Sequence, residues 1–245
     1  MKLTHTQAVW GMVAVAAMWS IAGVVTRQLE SAARFEITFW RSLFTMLSLL
    51  VILPLWKGRG ALRSLPWRNR LFWISGLCWS VMFTAFMVAL TLTTVANVLI
   101  TLALGPLITA IMARLFIGHA LPARTWGAIA VAGAGIGWMF GSQLSLGGSQ
   151  ALTGFLVALC VPIAGGTQWT LVQHSHASEQ DVDLVSSVLL GAVLSTLFTL
   201  PLATPFVATG RDIAWLALLG LVQLAIPCAL SVVCARSLKA PEVAL

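Results

Sequence analysis

Charge is what this sequence lacks. Of 245 residues only 9% are charged and 59% are hydrophobic, whereas an ordinary soluble domain carries roughly 25% charged residues. That shortage excludes a water-soluble fold and indicates an integral membrane protein. The formal charge of +7 does not point to nucleic acid, because the basic residues sit in short gaps between long apolar runs and cannot form a basic face. Cysteine is scarce as well. Cys78, Cys160, Cys228 and Cys234 fall inside apolar runs without the close pairing of a metal site, and read as small buried hydrophobes. No cofactor is implied. "GAGIG" at 133–137 follows no strand, so it is no nucleotide loop; Gly133, Gly137 and Gly141 recur at intervals of four, the spacing of helix packing. His174 and His176 form an HxH without a third ligand, read as part of a solvated loop.

Long apolar runs are what the chain has instead. A helix needs about 20 mostly apolar residues to cross the hydrocarbon layer, and runs of that kind predict spans at 8–26, 36–56, 71–90, 94–113, 124–141, 151–172, 184–205 and 213–234, with a ninth beginning near 240. The runs are continuously apolar rather than alternating, which implies helices and not a barrel. The first, from Ala8 to Val25, has the length of a full span and no clear cleavage site after it, so it is kept as a membrane helix.

Orientation follows from the basic residues. With the N-terminus in the cytoplasm, Lys2, Lys57, Arg59, Arg63, Arg68, Arg70, Arg114, Arg124, Arg236 and Lys239 face inward, leaving Arg27, Arg34, Arg41 and Arg211 on or near the other side. Trp10, Trp56, Trp67, Trp73, Trp126, Trp138 and Trp215 lie near predicted span ends, as an interfacial belt requires. Trp19, Trp79 and Trp169 fall inside the runs and need another explanation.

The sequence also repeats weakly. "AVWGM" at 8–12 matches "ALTGF" at 151–155, "FWISGL" at 72–77 matches "LALLGL" at 216–221, and "ALTLTTVANVL" at 89–99 matches "ARSLKAPEVAL" at 235–245, at offsets of 143, 144 and 146. Three matches in order imply a duplication with halves at 1–146 and 147–245. Five helices in the first half force the second to enter the membrane from the opposite side, so the repeat is inverted, an arrangement that places substrate sites at the interface of the halves.

With that layout, "WS" at Trp19 and Ser20, "FWR" at Phe39 to Arg41, "GPLITAIMA" at Gly105 to Ala113 and "ARSLKAPEVAL" resemble the EamA-type branch of the drug/metabolite transporter superfamily over the whole chain. The resemblance implies ten helices with both termini in the cytoplasm, and a secondary transporter of the inner (plasma) membrane, many relatives exporting amino acids or related metabolites. Against that pattern about eight and a half helices are expected here, the ninth cut short and the tenth missing. Two other readings follow: an incomplete fragment or assembly partner without transport of its own, and, more remotely, a membrane enzyme, which would need a convergent cluster of acids or ligands at helix ends.

The candidate substrate residues carry alternatives. Glu242 could line a cavity and carry a proton, or could simply favour the start of a helix after Pro241. Proton coupling and facilitated diffusion are both consistent with so few membrane carboxylates. Asn97, beside the position matching Glu242, forms an i, i+4 pair with Thr101 that would line a cavity or bond between helices. "VPIAGGTQW" places Pro162, Gly165 and Gly166 in mid-span opposite "WSIAGV" of the first helix, which signals either an interrupted helix at a transport site or close packing by small residues; Gln168 and Trp169 follow as a hydrogen-bonding group and an aromatic wall. Trp79 aligns with Gln223, which precedes Pro227 by a turn. Either the ring faces the amide across a pseudo-twofold axis, or the tryptophan faces lipid and the glutamine bonds between helices. The partners expected are a small-molecule substrate and the lipid bilayer, with a homodimer left open and no nucleic acid.

Overall fold

In hydrocarbon every backbone polar group must find its partner inside the segment, so apolar runs of this length can only be helical. The computed structural model describes residues 3–58, 60–117, 123–177, 183–238 and Val243, and these are helices joined by short turns, with no strand among them. The helices are α1 His5–Thr26, α2 Arg34–Lys57, α3 Arg70–Leu92, α4 Val95–Leu102, α5 Gly105–Ile117, α6 Ala123–Ala177, α7 Ser187–Ala203, α8 Gly210–Leu218 and α9 Ile226–Ala235, with a π-helical segment Leu219–Ala225 joining the last two. Six stretches of the described residues are long and apolar enough to cross a membrane, and α7 is a shorter apolar helix.

Local chemistry sets the helix starts. Thr4 caps α1 by accepting from the Gln7 N–H while the Gln7 side chain accepts from the Thr4 N–H at 3.0 Å, a reciprocal cap that satisfies two orphan donors. Asn69 caps α3 through the Leu71 N–H at 2.8 Å, and Thr94 caps α4. The fourth predicted span is broken between α4 and α5 at Ala103 and Leu104. Pro106 accounts for the break: it has no N–H to offer the Leu102 carbonyl, and its ring suits the first turn of a new helix.

Helices distant in sequence meet directly. α2 and α7 pack antiparallel, with the Ser42 and Ser195 hydroxyls 2.9 Å apart; Lys57 at the end of α2 pairs with Asp183 before α7, and Glu36 at the start of α2 binds the backbone after α7. Glycines allow the closest approaches: a Cβ at Gly191 on α7 would lie 2.3 Å from the Trp79 Cβ on α3, and one at Gly220 would lie 2.6 Å from the Phe44 Cβ and 2.9 Å from the Arg41 carbonyl on α2. The main apolar cluster joins Leu49, Phe72, Trp79, Phe83, Trp169, Val188, Leu224 and Val232, drawn from α2, α3, α6, α7 and the last span.

Several expectations are corrected. Spans 124–141 and 151–172 are one 55-residue helix, α6, about 82 Å long at 1.5 Å per residue. The intervening "GSQLSLGGSQ" is glycine-rich and polar, but it contains no proline, and only proline deletes the backbone donor that a helix needs. Pro162 does not interrupt α6 either. Close packing is the outcome in that stretch, since a Cβ at Gly166 would stand 3.1 Å from the Thr109 backbone. Among the described residues nothing lies within 4 Å of a Cβ at Gly133, and Trp138 nearby is 85% exposed. His174 and His176 belong to the final turns of α6 and not to a loop. Cys160 is exposed, whereas Cys78, Cys228 and Cys234 are buried, and all four are free thiols. Trp10, Trp56, Trp67, Trp73, Trp126 and Trp138 are exposed, as belt residues should be, while Trp215 packs partly into a second apolar cluster.

Gly191→Ala should therefore lower stability by roughly 1–3 kcal/mol through overpacking at the α3–α7 crossing. Gly127→Ala, where nothing lies within 4 Å, should be neutral or slightly stabilising. Unfolding of the two variants in detergent, followed by tryptophan fluorescence, checks the difference.

Candidate functional site

Positions four apart share one face of a helix. On α3 that face carries Ser75, Trp79 and Phe83, two turns covering about 12 Å, and all three side chains are buried. Other helices close around the row. Trp79 lies 5.7 Å from the Phe83 ring and meets Trp169 of α6 edge-on at 5.8 Å, an arrangement in which a positive ring edge faces a negative ring face. The indole N–H of Trp79 has no partner although the residue is 2% exposed.

One end of the row is a hydroxyl and amide cluster. Ser75 Oγ lies 2.7 Å from Gln168 Oε1 and 2.5 Å from Ser187 Oγ, while the Ser187 hydroxyl donates to the Leu184 carbonyl at 2.6 Å. Two hydroxyl protons cannot serve three bonds. Turning the Gln168 amide so that its nitrogen faces Ser75 resolves the count: the amide donates to Ser75, Ser75 to Ser187, and Ser187 to Leu184. Gln168 keeps one unpaired amide atom in either orientation, and in the consistent one it is the acceptor oxygen.

The other end holds a charge. Arg41 of α2 is 1% exposed; its Nη2 donates to the Phe83 carbonyl at 2.7 Å, its Nη1 makes a long contact of 3.4 Å with Gln223 Oε1, and its guanidinium carbon stands 5.9 Å from the Phe86 ring centre. Gln223 sits in the π-helical segment, where the Ile226 N–H reaches back five residues to the Leu221 carbonyl. Pro227 explains the wide turn, since it cannot donate to the Gln223 carbonyl four residues earlier. The Thr45 hydroxyl contacts the carbonyl oxygens of both Arg41 and Gly220, at 2.8 and 3.1 Å, tying the segment to α2. Trp19 of α1 is half-buried, packs on the main apolar cluster and hydrogen-bonds the Cys228 side chain.

The structure thus gathers Trp19, Trp79, Gln168, Trp169 and Gln223 around one buried region. Gln223 contacts Arg41 of α2, an interhelical contact of the kind the second reading expects of the glutamine, while Trp79 is buried and does not face lipid. Asn97 and Thr101 are buried elsewhere: Asn97 donates to Thr93 Oγ1 at 2.9 Å, Thr101 donates to the Asn97 carbonyl at 2.8 Å, and Val98 between them belongs to a separate cluster with Ala89 and Ala158. Glu242 lies outside the described residues. Arg41, expected on or near the outer side, is buried within the bundle and was not singled out from the sequence as a site residue. Its signal was a charge several residues inside an apolar run, a position that is costly and usually functional. Among the described residues no group of three or more histidine, cysteine, aspartate or glutamate side chains could hold a metal ion.

Carboxylates fasten both ends of the bundle. At one end Glu36, fully buried, accepts from the Val207, Ala208 and Ala33 N–H groups and from the Trp40 ring N–H. Asp212 accepts from the Glu30, Ser31 and Thr209 N–H groups, so the α1–α2 and α7–α8 connections are stitched to each other. At the opposite end Lys57 and Ser186 both donate to Asp183. Partial burial alone would raise the Asp183 carboxyl, but the hydrogen bonds from Lys57 and Ser186 and the charge of Lys57 outweigh it and hold the group below the usual aspartate value.

A depressed folded-state value contributes stability above the unfolded value near pH 4, lost as pH falls through the folded value. Asp183→Asn should lower the melting temperature at neutral pH, and the two proteins should converge as the pH falls through the lowered folded-state value of Asp183. Ser75→Ala should cost about 1–3 kcal/mol by leaving the Gln168 amide wholly unpaired, measured by unfolding in detergent.

Comparison with known proteins agrees with this architecture. The EamA-like transporter family matches residues 6–141, more than half of the chain. Among solved structures, a crystal structure superposes with a TM-score of 0.68 over 98% of this chain and 83% of its own, at 16% identity, a likeness of fold alone. No curated protein matches the chain. With a family match over most of the first half and an all-helical multi-pass architecture throughout, the chain belongs to the EamA-like transporter family, membrane transporters of the drug/metabolite superfamily that act on small molecules within a lipid bilayer.

Proposed function

We propose that the protein is a secondary transporter of the inner membrane, N-terminus in the cytoplasm, that exports an amino acid or a related metabolite by alternating access between halves at 1–146 and 147–245. One observation carries this reading. The row from Gln168 and Ser75, across Trp79 and Trp169, to Arg41 and Gln223 is polar at both ends and aromatic between them. Its residues come from both halves, which is where an inverted-repeat transporter binds its substrate. Unpaired polar atoms on Arg41, Trp79 and Gln168 suit a small molecule with polar groups on an apolar body.

Alternating access requires one end of the bundle to open while the other stays shut. The Glu36 and Asp212 stitches close the end at the α1–α2 and α7–α8 connections, and Lys57–Asp183 bridges the halves at the other. Export would release the first set, which lies outside when the N-terminus is cytoplasmic. Proton coupling stays assigned to Glu242, and facilitated diffusion is the alternative. A homodimer is compatible with either.

The test is counterflow of labelled amino acids in proteoliposomes holding the full chain. Native protein should exchange label, and Trp79→Ala and Gln223→Ala should each lower exchange roughly tenfold, the equivalent of about 1.4 kcal/mol of lost binding. Unchanged exchange in both variants would remove the site from the transport path.

A further inference from the structure

Arg41 presents a charge without a counter-charge. Its neighbours are the Phe83 carbonyl, the Gln223 amide, the Phe86 ring and the buried Cys228 thiol, all neutral, and its Nε has no partner among the described residues. Among the described residues no carboxylate pairs with it; Lys57–Asp183 and Arg211–Glu30 lie at the ends of the bundle. Leaving a buried ion uncompensated costs several kcal/mol, so a purely structural role would be served better by a neutral side chain of similar shape. The charge is explained if its partner arrives from outside.

We infer that Arg41 recognises the transported molecule by a carboxylate, which makes the substrate an organic acid or zwitterion whose apolar body lies along Phe83, Trp79 and Trp169. The inference rests on the transport reading above and narrows its substrate class. Two features select a carboxylate over a generic polar group. Guanidinium offers five N–H donors in a planar fork that matches two carboxylate oxygens, and two of those donors are engaged here, leaving Nε–H and the remaining Nη protons for a ligand. The unpaired Trp79 N–H is a further donor, one helical turn from Phe83 along α3. Donors buried in a low-dielectric surround bind an anion more strongly than they would in water.

Counterflow of labelled phenylalanine into proteoliposomes, with competition by 3-phenylpropionate, phenylalaninamide and phenethylamine, tests this on the native chain. Thermal stabilisation of the detergent-solubilised chain by the same compounds gives a second readout independent of transport. The acids should compete and stabilise at concentrations at least tenfold below those of the amide and the amine. Arg41→Gln should erase that preference, and Arg41→Lys should keep part of it, because the charge survives and the fork does not. Equal responses to acid and amide in both assays on the native chain would overturn the role of Arg41 whatever the variants do. Absent counterflow with acid-selective stabilisation intact would overturn the transport reading and leave the Arg41 carboxylate site standing, whereas absence of both would overturn the two together.

Discussion

Taking a guanidinium out of water removes the solvent that answered five N–H groups, and the protein must either replace it or leave a deficit. Arg41 is answered only in part, and the attempt organises the surrounding elements. Its bond to the Phe83 carbonyl fixes α2 against α3, and its contact with Gln223 reaches the π-helical segment of the last span. That segment approaches α2 closely because residue 220 is glycine, and Thr45 clasps its carbonyl. The same lack of a Cβ at Gly191 brings α7 onto α3 beneath Trp79. Elements from α2, α3 and the last span therefore converge on one partly satisfied charge, and the aromatic row grows out from it.

The ends of the bundle follow the opposite rule. Glu36 and Asp212 are saturated by N–H donors, each binding the chain that leaves or enters a neighbouring helix, so burial there is compensated. Asp183 is held by an ammonium and a hydroxyl in a more open setting, where a pair of this kind is weaker and screened by salt. The Glu36 and Asp212 end thus holds multiply bonded buried anions beside the exposed Arg211–Glu30 pair, and the other end a single partly exposed pair.

Much of the fold was legible. Apolar run length predicted where helices stand, and the tryptophans at Trp10, Trp56 and Trp67 marked their exposed ends. Trp79, Gln168, Trp169 and Gln223 could be singled out because polar or aromatic groups inside a membrane run need an explanation. What misled was punctuation. The Pro162 stretch allowed two readings, interruption or close packing, and the helix passes through it without a break, while Pro227 coincides with a change of helical pitch. Arg41 was assigned to a boundary because charge counting sorts residues by side, and side is not depth.

Composition alone determined that this chain lives in a bilayer, that it is helical, and roughly where its helices begin, since hydrocarbon leaves the backbone no other way to satisfy itself. Tertiary structure alone decided which polar residues meet. Gln223 was matched to Trp79 by repeat alignment, yet it faces Arg41, because the π-helical turn before Pro227 and the close approach at Gly220 bring this part of the last span against α2. Asn97 and Thr101, equally polar in sequence, bond within their own stretch of chain. A hydrogen bond needs its partner within about 3 Å and in the right direction, and no spacing along the chain encodes that meeting until the helices have packed.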